Sequence, residues 1–399
     1  MRVSLTPALK REAARSDAFP LLDPVGPQVS LGGTCGDDRL AIPVVPSAAT
    51  LFGPRGACLG SPGGPLWVCD TGHHRLLGWT RIPLSDGAPA DWIIGQPDFH
   101  YEGRNAKNTP GPATLNVPTG ICLCGAGLAV ADAWNHRVLI WRELPTQSHT
   151  PADIVLGHSG FESVEANRGG QTPDADTLFW PYGVHWDGER LWVADSGNRR
   201  VLMWHGLPDH TGQAADLVFG QSGMCWRDEN GGGDPSAMSM RWPHGIVLWD
   251  GRLCVADAGN NRIMVWDTVP DQNNKSCDYV LGQQDFVQVD HNQSLYWPGA
   301  ATLNMPYGIS AAGEWLLVAD TANSRLLGWR ADDCASGAAA RALTGQADFM
   351  AKGDNRWQLP ARDSLCWPYA VSACGETVVV SDSGNNRVML WRLNEGMRA

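Results

Sequence analysis

The sequence predicts an all-β fold built from six copies of one four-stranded unit, and three observations predict it. The first is a period: Asp70, Asp132, Asp195, Asp257, Asp320 and Asp382 stand 62, 63, 62, 63 and 62 residues apart. The second is that each aspartate is followed five positions later by an arginine (Arg75, Arg137, Arg200, Arg262, Arg325, Arg387). Each arginine is followed four positions later by a tryptophan (Trp79, Trp141, Trp204, Trp266, Trp329, Trp391). The third is the absence of any stretch with helical period; short apolar runs alternate instead with Gly, Asn, Asp and Pro. Self-similarity of this kind marks one supersecondary unit copied along the chain, each copy unable to bury its apolar face alone. Units of four strands repeated radially make a β-propeller, whose usual range is about 4 to 8 blades.

The third copy shows the unit most clearly. Tyr182–Trp186 reads as the first strand and Arg190–Ala194 as the second, with Asp187-Gly188 as the tight turn between them. Asp195-Ser-Gly-Asn198 turns the chain into a third strand, Arg200–Trp204, and a connection containing Pro208 leads to a fourth, Asp216–Phe219. A glycine closes the fourth strand at Gly95, Gly157, Gly220, Gly282 and Gly345, five copies for six aspartates. The last unit ends near Trp391, before its outer strand. One period upstream of Gly95 lies Gly32, within Gln28–Gly33, so the N-terminal segment is expected to complete the last blade and close the ring, which removes two open sheet edges. The organisation expected is an N-terminal extension over 1–26, a single propeller domain over 27–393 and a tail over 394–399.

The pattern Pro-x-Gly-(Ile/Val), Val-Ala-Asp and Asn-x-Arg-(Val/Ile), clearest in Pro118–Ile121, Val130–Asp132 and Asn135–Val138, resembles the NHL repeat. The resemblance covers residues 27–393 and implies a six-bladed propeller that binds a partner on one end. Relatives range from protein-binding and RNA-binding modules to metal-dependent amidating lyases and lactonases, so the family alone does not choose between binding and catalysis. Three positions depart from the pattern: Ala370 replaces the Pro-x-Gly glycine in the last copy, and Trp134 and Ala322 replace the turn glycine in copies two and five. Those places must accept a side chain where the others have none.

Composition narrows the class. With 42 acidic against 30 basic residues the formal net charge is -12, which disfavours a phosphate-binding surface and hence nucleic acid. No run of about 18 apolar residues offers a membrane span, and the first residues lack the apolar core of a signal peptide, so a cytoplasmic protein without membrane contact is expected. The 11 cysteines are scattered and several fall in strands, as reduced, buried thiols do.

An Asp and an Arg present six times cannot all be one active site. The expected role is structural: the Asp bonds turn amides after it and takes a two-pronged bond from the Arg, while the tryptophans pack between blades. The connections from fourth strand to next Pro-x-Gly run about 20 residues, unusually long for a compact domain, and lie at the same end as the turn between strands two and three. Each carries an asparagine ten residues past its glycine (Asn105, Asn167, Asn230, Asn292, Asn355), read as a staple that orders the loop; Ile42 takes that place at the closure. The loops are neutral to acidic, which suits a protein or peptide partner with a neutral to basic surface.

Function is expected where the copies differ. The residue between Pro and Gly should rim the central funnel at the loop-bearing end, and its occupants are Arg55, Thr119, Tyr182, His244, Tyr307 and Tyr369. Such a ring is a ligand or peptide site, or else a plug of the channel. The position before each repeated Arg also varies (His74, His136, Arg199, Asn261, Ser324, Asn386) and should contact the adjacent loop. For metal chemistry the candidates are Cys58, Cys122 and His185, equivalent positions on successive innermost strands; the same positions suit small core residues equally. No catalytic triad, phosphate loop or nucleotide fingerprint is present, and no catalytic residue is assigned. The reading is a non-catalytic interaction or ligand-binding scaffold, an accessory module needing no cofactor. The alternative is a lyase or lactonase-like enzyme with a divalent metal on the axis.

Overall fold

A computed structural model describes residues 18–33 and 45–397. Six sheets surround a central axis, each with its first strand innermost and successive strands hydrogen-bonded outward. The third blade comprises Pro181–Trp186, Arg190–Asp195, Arg200–His205 and Leu217–Phe219, the segments expected to within a residue or two. Asp187 builds its first hairpin: Oδ1 accepts the amides of Glu189 and Arg190, and Gly188 takes φ +100°.

The ring closes as expected. Val29–Gly32 pairs antiparallel with Arg387–Arg392, so the outer strand of blade six comes from the N-terminal segment. The extension does more than the sequence suggested. Phe19–Pro20 lies parallel to Ala342–Thr344 as a fifth strand of blade five, and Leu21 and Leu22 are buried in the core shared by blades five and six. The proline sits on an edge strand, where its missing N–H costs the ladder nothing. The described part of the extension is therefore integral to two blades. Ile42 falls outside the described residues.

The core is six clusters, each filled mainly by facing surfaces of adjacent blades, with the repeated tryptophans among them. Each indole N–H also donates to a carbonyl of the connection that follows, from Trp79 to Ala88 and from Trp204 to Gln213. In blade six, where the chain ends, Trp391 donates to Asp23 instead, at 2.8 Å. The six Asp–Arg pairs are fully buried, as in Asp195 with Arg200 Nε at 2.8 Å. Their geometry corrects the sequence reading. The Arg makes one bond to Asp Oδ2, not two, and Asp Oδ1 accepts an amide about 16 residues before it: Phe179 for Asp195, Asn116 for Asp132. The rest of the guanidinium reaches loop carbonyls on both sides; Arg262 donates to Ser236, Ser239 and Phe286. A desolvated charge pair so saturated with bonds is a clasp for the loop-bearing end.

The Pro-x-Gly glycines are required by the neighbouring blade. A Cβ on Gly183 would sit 1.8 Å from the carbonyl oxygen of His244, and one on Gly120 2.4 Å from that of Tyr182. At the turn position a Cβ on Gly72 would meet Phe52, one on Gly197 Phe179 and one on Gly384 Cys366, while the amides of Trp134 and Ala322 bond to the carbonyls of Asn116 and Asn304.

Candidate functional site

The long loops are tied to the neighbouring blades by paired asparagines. Each loop asparagine pairs with the turn asparagine of the next blade: Asn105 with Asn135, Asn167 with Asn198, Asn230 with Asn260, Asn292 with Asn323 and Asn355 with Asn385. The loop asparagines sit in the left-handed region, φ 50° to 52°, which asparagine tolerates. Blade one has His73 at the turn position instead, with Nδ1 2.8 Å from Asp70 Oδ2.

The variable position before each Arg contacts the adjacent loop, as expected. His74 Nδ1 accepts the amide of Val117, His136 Nδ1 that of Trp180, Asn261 that of Met305, Ser324 that of Trp367 and Asn386 that of Gly53. All five donors have φ between 49° and 57°. Arg199 has no acceptor to offer, and Trp242, at the matching place, bonds to Asp257 and keeps a negative φ. Accepting through Nδ1 requires a neutral imidazole, and burial lowers the pKa of both His74 and His136, the latter to about 4.

Arg55, Thr119, Tyr182, His244, Tyr307 and Tyr369 all line one end of an axial cavity of about 410 Å³. They touch one another in a cycle. Tyr182 packs on His244 with ring centroids 4.5 Å apart, His244 on Tyr307 at 4.3 Å and Tyr307 on Tyr369 at 4.7 Å. Arg55 closes the cycle, lying 4.6 Å from the Tyr369 centroid and donating to the Tyr182 hydroxyl at 3.0 Å. Thr119 is buried beneath, its hydroxyl on the Tyr182 carbonyl. Burial holds His244 neutral, with its pKa near 4; Nδ1–H donates to Trp242 O, which leaves Nε2 as an acceptor. The side chains thus form a cap over the channel, with one guanidinium and several phenols in it.

The metal candidates do not come together as a ligand set. Cys58, Cys122 and His185 all line the axial cavity, but among the described residues no group of three His, Cys, Asp or Glu side chains can hold a metal ion. His185 Nε2 accepts the amide of Leu248 across the blade boundary, and burial pushes the thiols of Cys58 and Cys122 up, away from the thiolate a metal needs.

What sequence reasoning missed is the company these residues keep. Phe52, Arg104, Trp134 and Trp180 join Arg55, His74 and Tyr182 around a second cavity of about 480 Å³ at the loop-bearing end. The one signal was Trp134, which breaks the repeat; its partner Arg104 lies on a loop whose path the period does not give.

The NHL repeat profile matches residues 240–266, the last turn of one loop and the first three strands of blade four. The chain is a six-bladed propeller that carries an NHL repeat. The NHL repeat-containing protein 2 of Homo sapiens is 26% identical over 187 residues, 45% of this chain and 23% of that protein. The Bos taurus protein of that name is 23% identical over 354 residues, 82% of this chain and 45% of its own. This NHL propeller therefore spans less than half the length of the curated relatives it matches. Among solved structures, a hydrazine synthase chain of Kuenenia stuttgartiensis aligns at 13% identity and TM-score 0.49, covering 88% of this chain and 99% of its own. A streptogramin B lyase aligns at 11% identity and TM-score 0.43, covering 90% and 87%. At those values neither informs on the activity of this NHL propeller. No helix among the described residues is long and apolar enough to cross a membrane.

Proposed function

We propose that this NHL propeller is a non-catalytic interaction or ligand-binding module, an accessory scaffold that works through its loop-bearing face and funnel mouth. The observation that carries the reading is where the exposed tryptophans lie. Seven of the 19, Trp134, Trp180, Trp226, Trp242, Trp297, Trp357 and Trp367, are 38% to 70% exposed, and all sit in the long loops or the turn at the same end. Tryptophan is a common anchor of interfaces, and rigid presentation lowers the ordering cost of binding. Clasped backbone and unburied indoles on one face fit a docking surface. The acidic balance of the chain favours a protein or peptide partner that is neutral to basic, and disfavours nucleic acid. The ten cysteines among the described residues are all free, which suits a reducing, cytoplasmic setting.

The test is capture of partners from host cytosol by the wild type and by a folded Tyr182→Ala, His244→Ala, Tyr307→Ala variant, with bound metal measured on the same samples. A partner lost only with the variant supports the module. Absence of a partner together with one metal per chain overturns it in favour of the lyase-like alternative.

A further inference from the structure

The funnel mouth is not surrounded evenly: the 480 Å³ cavity lies over blades one to three only, and its lining is unlike the equivalent places elsewhere. We propose that this cavity binds a small carboxylate carried on a planar apolar body, such as an aromatic acid or the C-terminal aromatic residue of a peptide. The proposal rests on the loop-bearing face being a binding surface and names what one part of it takes.

Charge is the first argument. Elsewhere many surface arginines are neutralised by acids, as Arg168 is by Asp176 at 2.5 Å, Arg341 by Asp333 at 2.7 Å and Arg356 by Asp363 at 2.7 Å. Arg55 and Arg104 have no ion-pair partner among the described residues, in a chain whose net charge is -12. Arg55 spends one N–H on Tyr182 and Arg104 lies with its guanidinium carbon 4.9 Å from the Trp134 ring centroid, so both keep donors for an oxyanion. His74 adds a third donor. Its Nδ1 accepts the Val117 amide, and burial keeps the ring neutral, so the proton resides on Nε2. Glu102, an acid beside this cluster, approaches His73 Nε2 at 3.9 Å.

Shape and origin are the second argument. Trp134, Trp180, Phe52 and Tyr182 supply flat apolar walls, which a planar body matches better than an inorganic anion does. Arg55, Arg104 and Trp134 are not supplied by the repeat. Arg55 is the single cation among the six ring residues, and the counterparts of Arg104 are Ala166, Glu229, His291 and Asp354. Trp134 stands where four copies have glycine.

The experiment is calorimetric titration of the full chain with benzoate, benzamide, acetyl-Gly-Phe, its C-terminal amide, and inorganic phosphate. Saturable binding of either carboxylate, with its amide at least about ten-fold weaker, is expected, and Arg104→Met and Arg55→Met should each weaken it about ten-fold. Arg104 is exposed, so its variant tests the site without threatening the fold. Benzoate alone binding assigns the site to free acids; acetyl-Gly-Phe alone assigns it to peptide termini. Equal affinity for acid and amide, no effect of Arg104→Met, binding of phosphate but neither carboxylate, or no binding at all overturns the proposal. Carboxylate binding with no protein captured from cytosol sustains this site while removing a protein partner from the broader reading.

Discussion

His136 Nδ1 accepts the backbone N–H of Trp180 at 3.1 Å, a bond that joins the turn of blade two to the entry of blade three and exists only while the imidazole is neutral. With His185 and His244 it is one of three histidines whose pKa burial lowers to about 4. An unfolded histidine titrates near about 6.5. The folded chain thus refuses protons that the unfolded chain accepts, so stability is complete above about 6.5 and is lost as the pH falls from there toward about 4. Denaturant unfolding across that window should show the loss. His136→Asn should make the slope shallower by up to about 1.4 kcal/mol per pH unit. Asparagine already does this job at Asn261 and Asn386. A slope identical in wild type and variant would show that His136 is not held neutral by this contact.

Removal of residues 1–32 should cost on the order of 5 kcal/mol, since it strips buried Leu21, Leu22, Val29 and Leu31 from blades five and six and opens a sheet edge. Trp391→Phe removes the indole bond to Asp23 and trims a fully buried ring from the core of blades five and six, and should cost about 2 to 3 kcal/mol. Thermal unfolding of the three proteins measures both. A truncation that melts with the wild type refutes ring closure by the N-terminal strand.

Gly183→Ala places a Cβ 1.8 Å from the His244 carbonyl oxygen, so a loss of about 3 kcal/mol or failure to fold is expected. Ala370→Gly, the reverse change at the place where the repeat already carries a side chain, should cost no more than about 1 kcal/mol. Equal effects in equilibrium unfolding would mean that the blade seams do not depend on this approach.

Asn135→Ala leaves the buried Asn105 amide without its mutual partner and removes a bond to Asp132. The expected loss is about 2 kcal/mol, concentrated in the loop. Hydrogen exchange over residues 96–117 should accelerate while blade five stays protected; unchanged exchange there would deny the staple its role.

The sequence was a good guide wherever the information was periodic. Four strands per unit, the closing strand at Val29–Gly32, the funnel position of Tyr182 and its counterparts, and the asparagine staples all follow from register, because equivalent residues meet equivalent surroundings. Contacts between distant, unlike residues were not legible. That Asp195 takes the amide of Phe179, or that Arg104 lies over Trp134, depends on the path of a loop in space. Phe19–Pro20 escaped for another reason: two residues outside the period, one of them proline, carry no strand signal. The cycle from Tyr182 to Tyr369 was visible as six positions but not as stacking, since side-chain geometry around an axis is not encoded in spacing.

At each glycine seam the neighbouring blade meets the carbonyl of a funnel residue and not its side chain: Gly183 abuts the backbone of His244, and Gly120 that of Tyr182. The seams thus rest on backbone atoms of these residues, and the proposed binding role on their side chains. Exchanging the side chains at positions 55, 182, 244, 307 and 369, while keeping Thr119, whose hydroxyl bonds the Tyr182 carbonyl, is expected to leave the seams shut, so that varied binding surfaces could be installed on one unchanged frame.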